Sequence, residues 1–364
     1  MQLFKIHSDY LLIYSLFFIL SVIFSILANI LFLKFSKNLG MRNYADDGTI
    51  IRWGSQSKPA LGGISFYILF LLSLESYFIF FANSPSIFIN KEFIGFLLAS
   101  TTAFFMGLAD DAYNTKPLIK LFVQILCGCI FILSGTQINF FAYEPLNYFI
   151  TIFWVVGMMN SINMLDNMDA ITTSVAVVIC CSAIGIIYMH HDYTNFLLIA
   201  LIGVAAALSG FLYFNWYPSK MYMGDSGSQF LGVFLAGIGI RLFWNDFPTS
   251  NSTSLKQIII TLLIFIMPIV DTTIVIINRL AKKQSPFIGG KDHTTHSLVY
   301  LGLKDKQVAL LFTSISILSL FFVFLIHHIL TWNLYFAGAF IIYFLSVFFV
   351  FFYITKLRER KFNH

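Results

Sequence analysis

Long uninterrupted apolar runs dominate this chain and restrict what it can fold into. A helix of about 20 apolar residues crosses the hydrocarbon core of a bilayer, and eleven stretches have that character. They lie roughly at residues 10–33, 60–81, 93–109, 117–134, 146–163, 170–190, 194–214, 227–244, 257–278, 307–329 and 331–355. Their short connections leave no room for a soluble domain. We therefore predict an all-α polytopic membrane protein, with residues 1–364 forming a single domain of about 11 transmembrane helices.

The positions of Lys and Arg predict how these helices are oriented. Cytoplasmic loops retain positive charge, and with alternating spans 18 of the 22 Lys and Arg residues fall on one side of the membrane. That side includes the C-terminal tail, so we expect the N-terminus outside and the C-terminus in the cytoplasm. The net charge of +5 is accounted for by this asymmetry. We therefore expect no nucleic-acid partner.

Two carboxylates three residues apart, Asp166 and Asp169, lie where one apolar run ends and the next begins. At this spacing they would share one face of a helical turn at the edge of a membrane span. Unpaired charge in such a place is costly and is usually functional. We expect the other polar segments to converge on this pair, which is entered through Asn163.

The third apolar run ends in adjacent acids, Asp110 and Asp111. These acids repel each other, and the edge of a bilayer strengthens the repulsion, so we expect Mg²⁺ or a lysine beside them. Lys120, about one turn into the fourth run, is positioned to meet a lipid phosphate. A solvated helix cap is the simpler alternative for the acid pair.

Further polar segments follow in the later connections. Asn215 ends the seventh run, and Asp225 lies between Gly224 and Gly227, a composition typical of a tight turn that approaches a metal or phosphate. An ordinary turn or helix cap is the alternative. In the ninth run, Asp271 is either a site residue or the partner of a neighbouring helix.

Two basic segments complete the set. Arg52 and Lys58 in the first loop precede a Gly pair, an arrangement that suits either phosphate binding or a plain positively charged loop. His293 and His296 in the last loop suit either a metal or a pyrophosphate, although this spacing alone is a weak metal signature. All these segments fall on one side of the predicted topology, in loops of about 34–60, 109–120, 160–170, 215–228 and 279–306.

This coincidence predicts one composite site. Several carboxylates supply hard oxygen ligands suited to Mg²⁺ or Mn²⁺, and the lysines, arginine and histidines supply cations for phosphate. Acids, bases and a divalent ion at a membrane surface indicate phosphoryl transfer, in which positioning and charge neutralisation carry most of the catalysis.

Four segments resemble, in order and in topology, the cytoplasmic motifs of the polyprenyl-phosphate N-acetylhexosamine-1-phosphate transferases, enzymes of the glycosyltransferase 4 type. They are Gly107-Leu108-Ala109-Asp110-Asp111, Asn163-Met164-Leu165-Asp166-Asn167-Met168-Asp169, Met223-Gly224-Asp225-Ser226-Gly227-Ser228 preceded by Asn215, and Asp292-His293-x-x-His296. The resemblance runs from about residue 40 to 305. The span number and the Asp-His loop look more like the undecaprenyl-phosphate GlcNAc-1-phosphate transferase branch, which starts O-antigen, enterobacterial common antigen or teichoic-acid-type glycans, than the peptidoglycan branch.

The resemblance implies a reaction and a set of roles. Undecaprenyl phosphate would attack the β-phosphorus of a UDP-N-acetylhexosamine at the cytoplasmic face of the bacterial inner membrane and release UMP. Asp225 would be the chief Mg²⁺ ligand. Beside the metal, Asp110 and Asp111 would handle the lipid phosphate or its proton, and Lys120 would contact phosphate. The nucleotide-sugar site would be lined by Asp166, Asp169, Asn163 and Asn215, with His293 and His296 near the diphosphate or sugar. The family also suggests a homodimer.

Three departures from the family pattern concern the sugar side. Asn167 and Ala170 stand where glycine is common, the histidine motif is spread, and the first loop lacks a frequent histidine. Two other functions stay open at this point. One is the phospho-MurNAc-pentapeptide transferase of peptidoglycan synthesis. The other is a polytopic transporter, for which acids near the midplane are expected, whereas here only Asp271 and Glu75 lie clearly inside spans.

Overall fold

The computed structural model describes residues 2–38, 58–81, 90–245, 254–285, 290, 292–328 and 331–362, and within these ranges the regular elements are helices. Their bounds are α1 Gln2–Asn38, α2 Gly62–Phe81, α3 Lys91–Tyr113, α4 Pro117–Leu133, α5 Glu144–Leu165, α6 Ile171–Met189, α7 Phe196–Asn215, α8 Gly224–Gly239, α9 Ser254–Ile264, α10 Ile266–Ala281, α11 Thr294–Tyr300, α12 Asp305–His328 and α13 Leu334–Phe362. A π-helical turn, Ile240–Trp244, extends α8. The predicted all-α class is confirmed.

Nine helices in the described ranges are long and apolar enough to cross a bilayer, and α9 with α10 forms a bent pair that brings the number to ten at most. The predicted span that falls short is the one at residues 117–134, which corresponds to α4 and has only 17 residues. A helix of that length extends about 25 Å, less than the roughly 30 Å of a bilayer core. The chain is thus a multi-pass membrane protein, but the described helices do not reach the predicted number of eleven spans. The orientation of the termini stays a prediction.

The break between α9 and α10 corrects the prediction of one continuous span over residues 257–278. The two helices are bent by 83°, and Phe265 between them leaves helical geometry with φ −98° and ψ 24°. Pro268 accounts for the break, because it has no N–H to donate to the carbonyl of Ile264 and its ring clashes with that carbonyl. The chain therefore ends one helix and starts another in a new direction.

Helix α8 is the centre of the bundle and packs against α2, α3 and α5. Two glycines bring their helices against its N-terminal backbone. A Cβ at Gly63 would overlap the backbone nitrogen of Gly227, and a Cβ at Gly107 would overlap the carbonyl oxygen of Asp225. Because neither position has a side chain, α2 and α3 contact the first turn of α8 directly.

The backbone just before α2 also binds the loop that leads into α8. The amide of Gly62 donates to the carbonyl of Tyr222 at 3.1 Å, and that of Gly63 donates to the carbonyl of Met223 at 2.9 Å. In return, the amide of Tyr222 donates to the carbonyl of Pro59 at 3.0 Å. These bonds hold the last residues of the first loop at the mouth of the site.

Candidate active site

Three charged side chains meet where α3 ends and α8 begins. The carboxyl groups of Asp110 and Asp225 interact directly, and Nζ of Lys120, in the first turns of α4, forms an ion pair with Asp110. Asp110 is only 6% exposed, and Asp225 is partly buried. Two carboxylates beside one ammonium leave a net negative charge, which favours a further cation at this point.

The turn between α3 and α4 fixes Asp110. Its Oδ1 accepts hydrogen bonds from the backbone amide and the hydroxyl of Thr115, each at 2.8 Å. Asn114 adopts the left-handed conformation, φ 51°, and its amide caps the end of α3 by donating to the carbonyl of Asp110. The chain can then start α4 at Pro117, which brings Lys120 back to the carboxylate.

Asp111 has a different task from its neighbour. Its two oxygens accept the backbone amides of Asp225 at 2.8 Å and of Ser226 at 2.9 Å. The first amides of a helix have no partner inside it, and a carboxylate there also interacts favourably with the helix dipole. Asp111 therefore holds the start of α8. Asp111 thus has a positioning role at the start of α8, and its predicted catalytic and metal-binding roles stay a prediction.

Asn163, in the last turn of α5, orients Asp225. Its side-chain amide donates to Oδ1 of Asp225 at 2.6 Å and to the hydroxyl of Ser228 at 2.8 Å. Both oxygens belong to the first turns of α8. The structure thus places Asn163 on the carboxylate, where it limits the directions in which Asp225 can present its second oxygen.

The prediction that Asp166 and Asp169 share a helical face is wrong. Helix α5 ends at Leu165, and residues 166–170 form turns. Asp166 caps the helix and is partly buried. Asp169 instead accepts hydrogen bonds from the backbone amide of Ser219 at 2.9 Å and from its hydroxyl at 2.8 Å.

Lys58 joins this second cluster. Its Nζ donates to the hydroxyl of Ser219 at 3.0 Å and lies 3.9 Å from Oδ2 of Asp169. Its ammonium is partly exposed, so it can meet an anion from solvent. Arg52, predicted beside it, lies outside the described residues.

Asn215 joins two site loops from within the protein. Its Oδ1 accepts from the amide of Ala170 at 3.0 Å and from the hydroxyl of Thr173 at 2.8 Å, and its Nδ2 donates to the carbonyl of Met221 at 3.1 Å. The residue is 2% exposed. These bonds give Asn215 a positioning role, and its predicted contact with the nucleotide-sugar stays a prediction.

The two histidines lie in a segment that α10 anchors. Asp271, fully buried on α10, accepts from Nδ1 of His293 at 2.9 Å and from the amide and hydroxyl of Thr294 at 3.0 and 2.5 Å. Asp271 thus pairs with a neighbouring element, as one of its two alternatives predicts, and a role in the site stays a prediction. His293 and His296 are 5% and 4% exposed.

A hydrogen bond between Thr295 and Asn167 joins the histidine segment to the turn of Asp166. The hydroxyl of Thr295 donates to Oδ1 of Asn167 at 2.7 Å. Asn167 also donates to the carbonyl of Met164 at 2.8 Å, so its amide is held at both ends. A glycine at residue 167 would make neither bond.

A partly buried ion pair holds Asp292, the residue before His293. Nε and Nη2 of Arg279 donate to the two oxygens of Asp292, each at 2.7 Å. Burial raises the pKa of the Asp292 carboxyl, but the hydrogen bonds and charge of Arg279 outweigh burial and hold this pKa below its ordinary value. Asp292 is therefore a charged anchor for the segment.

Comparison with known proteins bears on this geometry. Residues 93–243 match the model of Glycosyl transferase family 4. Over these residues the chain is similar to glycosyl transferase family 4. The matched region contains the whole cluster of Asp110, Lys120, Asn163 and Asp225, whereas the histidine segment and Lys58 lie outside the match.

Three curated relatives illustrate the similarity to family 4 enzymes. A "Probable undecaprenyl-phosphate N-acetylglucosaminyl 1-phosphate transferase" of Bacillus subtilis is 30% identical over 56% of this chain and 58% of its own length. A "Decaprenyl-phosphate N-acetylglucosaminephosphotransferase" of Mycobacterium leprae is 26% identical over 70% of this chain and 69% of its own length. A "Phospho-N-acetylmuramoyl-pentapeptide-transferase" of Streptococcus agalactiae is 35% identical over 50% of this chain and 59% of its own length. The chain thus spans less than two thirds of the first of these relatives.

Several residues that build this candidate site are not evident from the sequence. Ser219 and Thr115 each bind a site carboxylate with both a backbone amide and a hydroxyl, and Thr295 bonds Asn167. Serine and threonine are common in loops, and no spacing sets these three apart. Their only signal is proximity in sequence to predicted residues, as Thr115 follows Asp111 and Thr295 lies between the two histidines.

Proposed function

We propose that this protein transfers a sugar-1-phosphate, GlcNAc-1-phosphate in the first instance, from a UDP-N-acetylhexosamine to undecaprenyl phosphate. The reaction would release UMP and start a lipid-linked cell-envelope polysaccharide at the cytoplasmic face of the bacterial inner membrane. One observation carries the proposal. Asp110, Lys120 and Asp225 meet at the edge of a membrane bundle, within the residues that match family 4.

The chemistry is a phosphoryl transfer without a covalent enzyme intermediate. An oxygen of the lipid phosphate forms a bond to the β-phosphorus of the UDP-sugar. The bond from that phosphorus to the bridging oxygen breaks, and this oxygen leaves on UMP. A phosphate monoester with a second pKa near 6 is largely doubly ionised at neutral pH, so the attacking oxygen carries no proton that a base must remove.

This removes the need for Asp110 to act as a base. Asp110 is held as a carboxylate by the ammonium of Lys120 and by two hydrogen bonds from Thr115. Lys120 has further N–H donors for an approaching phosphate, which it would receive beside the membrane edge. We therefore propose that Lys120 binds phosphate and that Asp110 partly neutralises the positive charge of Lys120.

The residues present fit a divalent metal. Asp110 and Asp225 offer carboxylate oxygens, the donor type that Mg²⁺ and Mn²⁺ prefer, and Lys120 offsets only one of their charges. The described residues contain no group of three or more His, Cys, Asp or Glu side chains arranged for a metal. Mg²⁺ is commonly held by one or two carboxylates together with substrate phosphates. When bound between Asp110 and Asp225, the ion would neutralise the charge of the reacting phosphates.

The second cluster is suited to the nucleotide-sugar. Lys58 is partly exposed beside Asp169, and the turn of Asp166 lies next to the segment of His293 and His296 through the Thr295–Asn167 bond. These groups provide cations for a diphosphate and carboxylates for sugar or ribose hydroxyls. Arg52 belongs to this proposal on sequence grounds alone.

The same assay tests a second donor of the sugar-1-phosphate. The relative from Streptococcus agalactiae, named a phospho-N-acetylmuramoyl-pentapeptide-transferase, is 35% identical over 202 residues. Its donor class would be UDP-MurNAc-pentapeptide. The spread histidine segment and Asn167 are the residues that would separate the two donors.

UMP release by the purified protein tests the proposal. The protein would receive undecaprenyl phosphate and Mg²⁺ with UDP-GlcNAc, UDP-GalNAc or UDP-MurNAc-pentapeptide in separate reactions. We expect lipid-dependent release with UDP-GlcNAc, loss of release with EDTA, and recovery with Mg²⁺ or Mn²⁺. Release without lipid, or full activity in EDTA, contradicts the mechanism. Light scattering on the same preparation tests the homodimer.

A further inference from the structure

Three side-chain amides lie about one helical turn deeper in the bundle than the charged cluster of the candidate active site. Each is three or four residues from a site residue on the same helix, and residues at that spacing share a helix face. The amides, with the site residue on the same helix, are Gln124 below Lys120 on α4, Asn160 below Asn163 on α5 and Gln229 below Asp225 on α8. We refer to these three residues as the amide layer.

Gln124 makes hydrogen bonds to both other members of the amide layer. Its side chain pairs reciprocally with that of Asn160: Nδ2 of Asn160 donates to Oε1 of Gln124 at 2.8 Å, and Nε2 of Gln124 donates to Oδ1 of Asn160 at 3.3 Å. The same Nε2 also donates to Oε1 of Gln229 at 3.3 Å. Three helices of the site, α4, α5 and α8, are thus joined by Gln124.

Burial gives these bonds their weight. Gln124 and Gln229 are only 2% and 3% exposed. A buried amide costs free energy unless it is hydrogen-bonded, whereas an apolar side chain of the same size avoids that cost. Polar side chains inside membrane bundles bond neighbouring helices in specific geometries. The position of α4 therefore depends on directional bonds as well as on apolar contact.

Helix α4 is buried along one stripe only. Leu118 and Phe122, on its other side, are 78% and 67% exposed. The buried residues of α4 are Gln124, Cys127, Gly128 and Phe131. Apolar contact is non-directional, so the other members of this stripe permit small shifts along or about the helix axis. Gln124 is the member nearest to Lys120 in sequence, and its bonds restrict such shifts where the ammonium reaches Asp110.

We propose that Gln124 is a positioning residue for Lys120, which it holds in place through the rotation and depth of α4, with Asn160 and Gln229 as its supports. This role rests on the proposed function, in which Lys120 binds the phosphate of the lipid substrate. The Lys120 side chain is 29% exposed where it pairs with Asp110, so a small rotation of α4 withdraws the ammonium from the site. The lipid phosphate would then bind less tightly, while the second cluster would still receive the nucleotide-sugar.

Steady-state UMP release by the purified protein tests this role in Gln124→Met, which keeps the length of the side chain and removes its hydrogen bonds. We expect the KM for undecaprenyl phosphate to rise about tenfold and the KM for the UDP-sugar to change by less than about twofold. Gln229→Met, which leaves the Gln124–Asn160 pair in place, should give a smaller rise. An unchanged KM for the lipid in Gln124→Met overturns the proposal.

Matched variants separate positioning from a loss of stability. Gln137→Met, beyond the far end of α4, removes amide bonds to Asn139 and Glu144 and should leave both KM values unchanged. Phe131→Leu reduces a buried side chain on the same stripe of α4 and should lower the Tm without a selective rise in the KM for the lipid. An equal rise in both KM values in Gln124→Met would indicate a general structural role and overturn the proposal.

Acetylation of Lys120 gives a readout that needs no turnover. Mass spectrometry would compare its labelling by acetic anhydride with that of Lys116, an exposed lysine just before α4. The ion pair with Asp110 should protect Lys120 in the wild type, and in Gln124→Met we expect its labelling to approach that of Lys116. Unchanged protection overturns the proposal. If the wild type releases no UMP with any donor, the proposed function fails, whereas this labelling still decides whether Gln124 positions Lys120.

Discussion

The carboxylate of Asp271 lies 2.9 Å from Nδ1 of His293 and also accepts the amide and hydroxyl of Thr294. This buried carboxylate on α10 therefore fixes both the ring of His293 and the start of α11. Since Nδ1 is engaged, the proposed contact of His293 with substrate would use Nε2. The bend before α10 thus belongs to the construction of the site, because it directs the helix that carries Asp271.

Asp271→Asn tests this anchor. The amide keeps one acceptor but loses the charge that holds the imidazole, and we expect turnover to fall at least about tenfold because His293 no longer keeps a single orientation. The Tm in detergent should also fall. Thr294→Val, which removes only a hydroxyl, should have the smaller effect on both. Wild-type turnover in Asp271→Asn would show that the orientation of His293 does not matter to the reaction.

Asp225→Asn and Asp111→Asn distinguish a residue proposed to act in catalysis from one that stabilises the start of α8. Asp225→Asn removes one of two facing carboxylates, so we expect the Tm to stay the same or rise while UMP release falls by about 10²-fold or more. Asp111→Asn weakens the cap of α8, which should cost about 1–2 kcal/mol of stability. Circular dichroism melts alongside the UMP assay distinguish the two. Substantial activity in Asp225→Asn contradicts its assignment as a metal ligand.

Ala170→Gly should stabilise the protein. Ala170 precedes α6 in the left-handed conformation, φ 67°, which is unfavourable for a residue with a Cβ. Glycine removes that strain at some cost in chain entropy, and we expect a net gain of about 0.5–1 kcal/mol, seen as a higher Tm. Ala176→Gly, in the interior of α6, is the control and should lower the Tm. A lower Tm in Ala170→Gly would mean that the methyl group makes packing contacts that outweigh the strain.

The Arg279–Asp292 pair predicts a pH dependence at the acid end. The pKa of Asp292 is lower in the folded protein than its ordinary value of about 3.9, so the unfolded state binds the proton more readily. The pair therefore stabilises the fold above the ordinary value, and this contribution is lost as the pH falls through the lower, folded pKa. Tm values from pH 6 to pH 3 measure it. Arg279→Gln should show a flatter decline over the window below pH 4, and an unchanged slope would contradict the pairing.

Hydropathy predicts most of the fold because a bilayer requires each spanning segment to satisfy its own backbone hydrogen bonds. The runs at 146–163 and 194–214 agree closely with α5, Glu144–Leu165, and α7, Phe196–Asn215. Hydropathy does not predict the break at Phe265, because the mean hydropathy over a window does not change when one residue leaves helical geometry. Pro268 is its visible signal.

The sequence predicts that the polar segments of the candidate site lie together, but it does not predict which residue makes which contact. Residues that are adjacent on a helix point about 100° apart, so Asp110 and Asp111 are expected to meet different groups on the facing helix. That argument divides the pair into two roles without saying which residue takes which. The answer depends on how α3 lies against α8, and only the packed structure gives it. The same holds for Asn215, whose three bonds join segments distant in sequence.

The glycine at residue 107 lets the spacing of two helices set the geometry of the proposed active site. It lies one turn before Asp110 on α3 and against the backbone of Asp225 on α8, so the gap between these carboxylates is set by how near the two helix axes can come. A single methyl group at this position would push the axes apart and widen the gap, without touching any group that meets substrate. For the proposed transferase, selection would therefore act on the helix faces that pack together as well as on the side chains that face the substrate phosphates.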